Sequence, residues 1–164
     1  MADERPRAAV LVTSDRIHAG REEDRSGRAA ADILKDFADV IEVRVVPDER
    51  DEITDALCGW SDEGVDVVLT VGGTGLSPRD VTPEATLDVV DRRAPGISTA
   101  LLMHGLSTTP KAMLSRAVAG VRDRTLIVNL PGSTSAVREL LPYLLEALPH
   151  ALEVVRGVPE DYED

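Results

Sequence analysis

Val65–Val71 (VDVVLTV) is an almost unbroken apolar run that passes directly into Gly72-Gly73-Thr74-Gly75. Such a run is rich in β-branched residues and too short for a helix. It suits a strand buried on both faces. Burial on both faces requires helices above and below the sheet, and that points to crossover connections between parallel strands.

The rest of the chain supplies those partners. Ala8–Thr13 (AAVLVT) is a second buried strand, and Val40–Val46 (VIEVRVV) alternates into a third that Pro47 and Asp48 end. A loop is expected from Ser14 to about Arg25. Ser26 is placed to cap a helix reaching about Ala38. Ile53, Ala56, Leu57 and Trp60 share one face of a helix over Arg50–Ser61. Thr82 and Pro83 have the chemistry of a helix start, as N-cap and first helical residue, with Glu84 complementing the dipole. A further helix is expected over Ile97–Leu106. Ala117–Arg122 and Thr125–Leu130, joined at Asp123-Arg124, read as an antiparallel hairpin. Leu141, Leu145, Leu148, Leu152 and Val155 mark a terminal helix that Pro142 and Pro149 must kink or divide, with Gly157 as its stop.

The fold class that follows is α/β: a three-layer sandwich with a mostly parallel central sheet and an antiparallel hairpin. The 164 residues fit one domain over 1–164, with frayed ends expected at about 1–6 and 159–164. Open parallel sheets bind ligands at the carboxyl ends of their strands, near a reversal of strand order. That rule selects Thr13–Asp15, Val46–Asp48, Val71–Gly75 and Asn129–Ser133.

Composition removes several function classes. A net charge of −12 repels a polyphosphate backbone, so nucleic acid is not an expected partner. Four aromatic residues (Trp 1, Tyr 2, Phe 1) offer little for base stacking. No apolar run reaches the ~20 residues of a membrane span, and the charged start lacks a signal-peptide core. A cytoplasmic location is the resulting expectation. Cys58, alone, forms no internal disulfide and reads as a helix-face residue. His18, His104 and His150 are too scattered for a zinc site.

Gly72-Gly73-Thr74-Gly75 can turn sharply and present backbone N–H groups to an anion, although a glycine turn without ligand looks the same in sequence. Pro131-Gly132-Ser133-Thr134 leads from a strand into a helix, a favourable place for phosphate, or simply a capped helix start. Asp48 and Asp80 lie in loops at the same sheet end. Two carboxylates there could hold Mg²⁺ beside a polyphosphate, or one could act as a base; a lone loop aspartate is otherwise a turn former.

Gly72–Thr86 as a whole reads GGTGLSPRDVTPEAT, and it closely resembles the signature of the MogA/MoaB family of molybdopterin-binding proteins and the related gephyrin G domains. Val12–Gly27 (VTSDRIHAGREEDRSG) resembles the family's first loop, Val46–Asp48 its valine-proline-aspartate turn, and Lys111–Gly132 (KAMLSRAVAGVRDRTLIVNLPG) its closing segment. The resemblance runs over about residues 8–156.

The resemblance implies molybdopterin as substrate and, in active members, transfer of AMP from Mg-ATP to its terminal phosphate with release of pyrophosphate. It implies catalytic, Mg²⁺-associated roles for Asp48 and Asp80. It implies nucleotide or molybdopterin binding by Ser14, Asp15, Gly72, Gly73, Thr74, Gly75, Ser115, Pro131, Gly132 and Ser133. It also implies a homotrimer, or a hexamer, and contact with other cofactor-assembly proteins. One departure keeps a second reading beside the first. Many adenylylating members continue the last turn as Pro-Gly-Asn-Pro or Pro-Gly-Gln-Pro, whereas this chain has Pro131-Gly132-Ser133-Thr134-Ser135. A Pro-Gly-Ser turn also occurs in MoaB-type members, so the alternative is a non-catalytic molybdopterin-binding protein.

Overall fold

The computed structural model describes residues 4–158. Six strands form one sheet: β1 (Arg7–Thr13), β2 (Asp39–Val46), β3 (Val67–Val71), β4 (Arg92–Arg93), β5 (Ala119–Arg122) and β6 (Thr125–Leu130). Their order is β2-β1-β3-β6-β5-β4. β2, β1, β3 and β6 are mutually parallel, while β5 runs antiparallel to β6 and to β4. From β1 the chain moves first outward to β2 and then back across to β3, so the order reverses between β1 and β3.

Alternation along the central strands builds a core on each face. Val10 and Val12 of β1, Leu69 of β3 and Val128 of β6 point into one core. Ala9 and Leu11, Val68 and Ile127 point into the other. The first core is covered by α2 (Ser26–Leu34), α5 (Pro95–Leu106), α6 (Thr134–Leu145) and α7 (Leu148–Val155). The second is covered by α3 (Arg50–Asp62) and α4 (Thr82–Val89). The three layers expected from the near-continuous apolar runs are therefore present, and Ile53, Ala56, Leu57 and Trp60 are all buried as their spacing predicts.

Several local expectations are corrected. The loop after β1 contains a short helix, α1 (Asp15–His18), capped by the Ser14 hydroxyl, which accepts the Ile17 N–H. Ser26 does not cap α2; it is the first helical residue, and Asp24 accepts the Gly27 N–H at 2.8 Å instead. Helix α2 also ends at Leu34 rather than near Ala38. Thr82 likewise lies inside α4, and its hydroxyl is drawn to Thr13 Oγ1 at 3.0 Å, a buried contact that replaces a cap. β4 and a 3-10 turn at Pro110–Leu114 were not expected. β4 is two exposed arginines with no apolar pattern. It pairs through its backbone only because Gly120 lets Arg92 approach: a Cβ there would lie 2.7 Å from the Arg92 carbonyl oxygen.

The two prolines of the terminal helix behave differently. Pro149 starts α7 and so divides the pattern. Pro142 stays inside α6, on an exposed face where solvent can satisfy the carbonyl it leaves unpaired. Gly157, at φ 76°, closes α7, with N–H groups of Gly157 and Val158 donating back to Val154 and Glu153. The expected fraying at 1–3 and 159–164 lies outside the described residues. At the described start of the chain the Pro6 carbonyl accepts the Asp39 N–H at 2.8 Å.

Candidate functional site

The carboxyl ends of β1, β2, β3 and β6 carry the four loops that the open-sheet rule selects. Gly72 and Gly73 hold positive φ angles of 99° and 66°. A Cβ on Gly73 would lie 2.2 Å from Thr82 Oγ1, and one on Gly72 would lie 2.6 Å from the Thr13 carbonyl oxygen. The turn therefore requires glycine twice over, by conformation and by the closeness of β1 and α4. The Gly72 N–H donates to Leu130 O at 3.1 Å, which ties this loop to the end of β6.

Beneath it runs a buried polar seam. Asn129 Nδ2 donates to Thr70 Oγ1 and Thr86 Oγ1 at 2.9 and 3.0 Å, and its Oδ1 accepts the Val118 N–H at 3.1 Å. Paired on every side, these groups fix α4 and β5 against the sheet end at little desolvation cost.

Gly73, Thr74, Gly75, Asp80, Ser115, Pro131, Gly132 and Ser133 line one cleft of about 440 Å³, together with Lys111 and Glu139. That volume suits a small-molecule ligand. Thr74 is only 5% exposed, and its hydroxyl makes no hydrogen bond among the described residues. Its hydroxyl oxygen keeps contact with solvent at the cleft wall, open to a polar ligand. Ser133 caps α6 by accepting the Ala136 N–H at 3.2 Å, and Ser115 accepts the Ala117 N–H at 3.2 Å.

Ser14, Asp15 and Asp48 lie one and two strands away and do not line that cleft. Asp15 and Asp48 are joined reciprocally: each carboxylate accepts the other's backbone N–H at 3.0 Å. Arg79 then donates to both oxygens of Asp15, each at 3.0 Å, and to Glu49 at 2.9 Å. The Arg79 fork holds the Asp15 carboxyl below the usual aspartate range, with the Asp48 N–H assisting. Asp48 moves the opposite way. Burial pushes its carboxyl up, and the charges of Asp15 and Asp80 push it further. The influence of Asp80 places the two candidate acids in one electrostatic neighbourhood.

Asp80 is set by its own turn. Its N–H donates to Ser77 O at 2.9 Å and its carboxylate accepts the Ser77 N–H at 3.0 Å. The turn is stapled from behind by Arg116, which donates to the carbonyls of Gly75 and Asp80 at 2.8 Å each and pairs with Glu84. Asp48 Oδ1 and Asp80 Oδ1 make no hydrogen bond among the described residues. Arg79 and Arg116 both belong to the loops around the site. The structure engages both arginines with protein groups and leaves Lys111 as the cation on the cleft wall. Glu49, the pairing of Glu84 with Arg116 and the Thr13–Thr82 contact are not foreseen from the sequence. Their only sequence signal is nearness to Asp48, Thr82 and Ser14.

A family profile described as "Probable molybdopterin binding domain" matches residues 9–150. The chain is 44% identical over 162 residues to gephyrin of Dictyostelium discoideum, covering 92% of this chain but 23% of that one. It is 40% identical over 152 residues to a molybdopterin adenylyltransferase of Helicobacter pylori, covering 90% of this chain and 86% of that one. Among solved structures, the molybdopterin biosynthesis enzyme MoaB of Thermus thermophilus superposes with a TM-score of 0.87 at 47% identity, covering 93% and 98% of the two chains.

Proposed function

The chain belongs to the MogA/MoaB family of molybdopterin-binding domains, and from that premise we propose that it transfers AMP from Mg-ATP to the terminal phosphate of molybdopterin. The observation that carries this reading is the cleft at the strand ends, walled by the Gly73–Gly75 and Pro131–Ser133 turns and lined by Asp80, with the Asp48 carboxylate fixed in the neighbouring loop by Asp15. A molybdopterin phosphate oxygen attacks the α-phosphorus of ATP. A new P–O bond forms, the bond to the β-phosphate oxygen breaks, and pyrophosphate leaves with the electron pair. The attacking phosphate is already ionised near pH 7, so no strong base is needed, and positioning with charge neutralisation dominates.

The residues present fit a magnesium ion brought in with ATP. Among the described residues no three His, Cys, Asp or Glu side chains form a complete metal cage. Mg²⁺ characteristically takes one or two carboxylates and completes its shell with phosphate and water. Asp48 and Asp80 each keep one oxygen free of protein hydrogen bonds, and the burial that raises Asp48 makes a cation nearby favourable. When bound, the ion would neutralise charge on the phosphates. The chain's own part is to orient: backbone N–H groups and the Thr74 hydroxyl at the glycine turn, Lys111 on the cleft wall, and the helix start at Ser133 for a phosphate.

The same reading carries a cytoplasmic setting and self-association as a trimer or hexamer. Exposed Met103, Leu106, Met113 and Leu114 on α5 and the 3-10 turn supply apolar surface for such contacts. The test mixes purified protein with molybdopterin and Mg-ATP and follows adenylylated molybdopterin and pyrophosphate, with Asp80→Asn alongside. Product from the parent alone is expected. Tight molybdopterin binding with no product from either protein would replace this reading with the binding-only one.

A further inference from the structure

Arg79 directly precedes Asp80, and its position invites the role of phosphate ligand. Its hydrogen bonds point elsewhere. Nε and one terminal nitrogen form a two-point fork on Asp15, at 3.0 Å each, and the same terminal nitrogen reaches Glu49 at 2.9 Å. Asp15 in turn gives three of its roughly four acceptor positions to protein donors. Oδ1 accepts from both the Asp48 N–H and Arg79, and Oδ2 accepts from Arg79. Only one acceptor position, on Oδ2, is left, and Arg79 already occupies both oxygens. What Asp15 does instead is hold the backbone of Asp48, 33 residues away, while its own N–H donates to Asp48 Oδ2.

We propose that Asp15 and Arg79 are positioning residues for Asp48: the Arg79 fork fixes Asp15, and Asp15 fixes both the main chain and one carboxylate oxygen of Asp48. The second Asp48 oxygen is thereby aimed at the site. Because Arg79 and Asp80 are neighbours in one loop, the same ion pair ties the Asp80 loop to the β1 and β2 ends, so the two acids are held in mutual register. Two-point guanidinium–carboxylate geometry suits this task, since it fixes direction as well as distance. Groups that orient a metal or catalytic ligand from behind typically alter affinity or rate by roughly tenfold to a hundredfold when removed.

The proposal rests on the AMP-transfer reading for its kinetic consequence but not for its structural one. The experiment therefore has two readouts. The first is backbone amide hydrogen exchange at Asp15 and Asp48 in the ligand-free protein, by NMR. The second is kcat and KM for Mg-ATP and for molybdopterin. Asp15→Ala should speed Asp48 amide exchange at least tenfold and lower kcat by roughly tenfold to a hundredfold, with the molybdopterin KM unchanged. Asp15→Asn keeps an acceptor for the Asp48 N–H but loses the ion pair. It should preserve slow exchange and lose less activity than Asp15→Ala. Arg79→Lys, one charge without the fork, should fall between the parent and Arg79→Ala. Unchanged Asp48 exchange in Asp15→Ala would overturn the proposal. So would a loss confined to substrate KM with kcat intact, which would make Asp15 or Arg79 a direct ligand. Should the parent transfer no AMP, the functional reading falls, and exchange together with equilibrium Mg-ATP affinity still decides the positioning role.

Discussion

The two aspartates at the sheet end are held in opposite ways. Asp80 is fixed chiefly by a residue beside it in sequence, Ser77, which meets both its N–H and its carboxylate, while Arg116, 36 residues on, grips the turn only through backbone carbonyl oxygens. Asp48 is fixed by a side chain from a different strand end, itself fixed by an arginine from a third. A local turn keeps its shape when one side chain changes. A relay across three loops transmits any change. The Asp80 side should therefore separate chemistry from structure cleanly under mutation, and the Asp48 side should mix them.

The sharpest test of that contrast is Asp80→Asn. The amide keeps an acceptor for the Ser77 N–H, so the turn survives, while the charge is lost. Turnover should fall by at least ~10²–10³, the scale of removing one preorganised electrostatic group. The melting temperature should stay within about 2 °C, an effect below ~1 kcal/mol for a chain of this size. A large drop in melting temperature would show that the Asp80 turn is not self-contained.

Gly73→Ala probes the ground on which both sides stand. Its φ of 66° disfavours any side chain, and the new methyl carbon would lie 2.2 Å from Thr82 Oγ1 and 2.7 Å from Thr13 Oγ1. Left-handed backbone strain and overpacking together cost about 2–4 kcal/mol. A fall of roughly 5–15 °C in melting temperature is expected, with activity lost in parallel. A stable, active variant would mean that β1 and α4 are not locked at this contact.

Arg116→Ala removes the staple behind Asp80. Two carbonyls lose a donor, and Glu84, one of whose oxygens is already buried without a partner, loses its cation. The arginine and the glutamate are each about one-third exposed (35% and 39%), so solvent screening limits the cost to about 1–2 kcal/mol. Thermal melts should fall by roughly 2–8 °C. Turnover should fall less than in Asp80→Asn, because the Ser77 contacts remain.

The same contrast explains what could be read from the sequence. Layers and strands were legible because both-face burial imposes an unbroken apolar run, as in Val67–Val71, and one-face burial imposes a helical period, as in Ile53–Trp60. The glycine turn was legible because positive φ and a close approach both demand glycine. The Asp80 turn lay inside one continuous string. Thr82 and Ser26 misled because a hydroxyl before a helix pattern looks like a cap wherever it points. Thr13 captured the first, and Asp24 displaced the second. The Arg79–Asp15–Asp48 relay left no local trace, since its members come from three separate loops and meet only after β1, β2 and β3 are in register.

The smallest expected effect concerns the cost of keeping Asp48 ready. Burial raises its carboxyl above the ordinary aspartate value, and Asp15 and Asp80 add to the rise. For an acid raised in the folded state, the unfolded chain releases its proton first as pH increases. Stability therefore falls between the ordinary value and the raised one, and the deficit is constant above that window. Asp48→Asn cannot ionise and keeps an acceptor for the Asp15 N–H. It should melt slightly higher than the parent at pH 7, and the difference should vanish as pH drops below the ordinary aspartate range. Such a gain, bought with activity, is the mark of a group retained for function rather than for folding. A variant that melts lower than the parent at pH 7 would show that the ionised Asp48 carboxylate stabilises the relay more than burial penalises it. The contrast between the two aspartates would then have to be redrawn, with both held chiefly by favourable contacts.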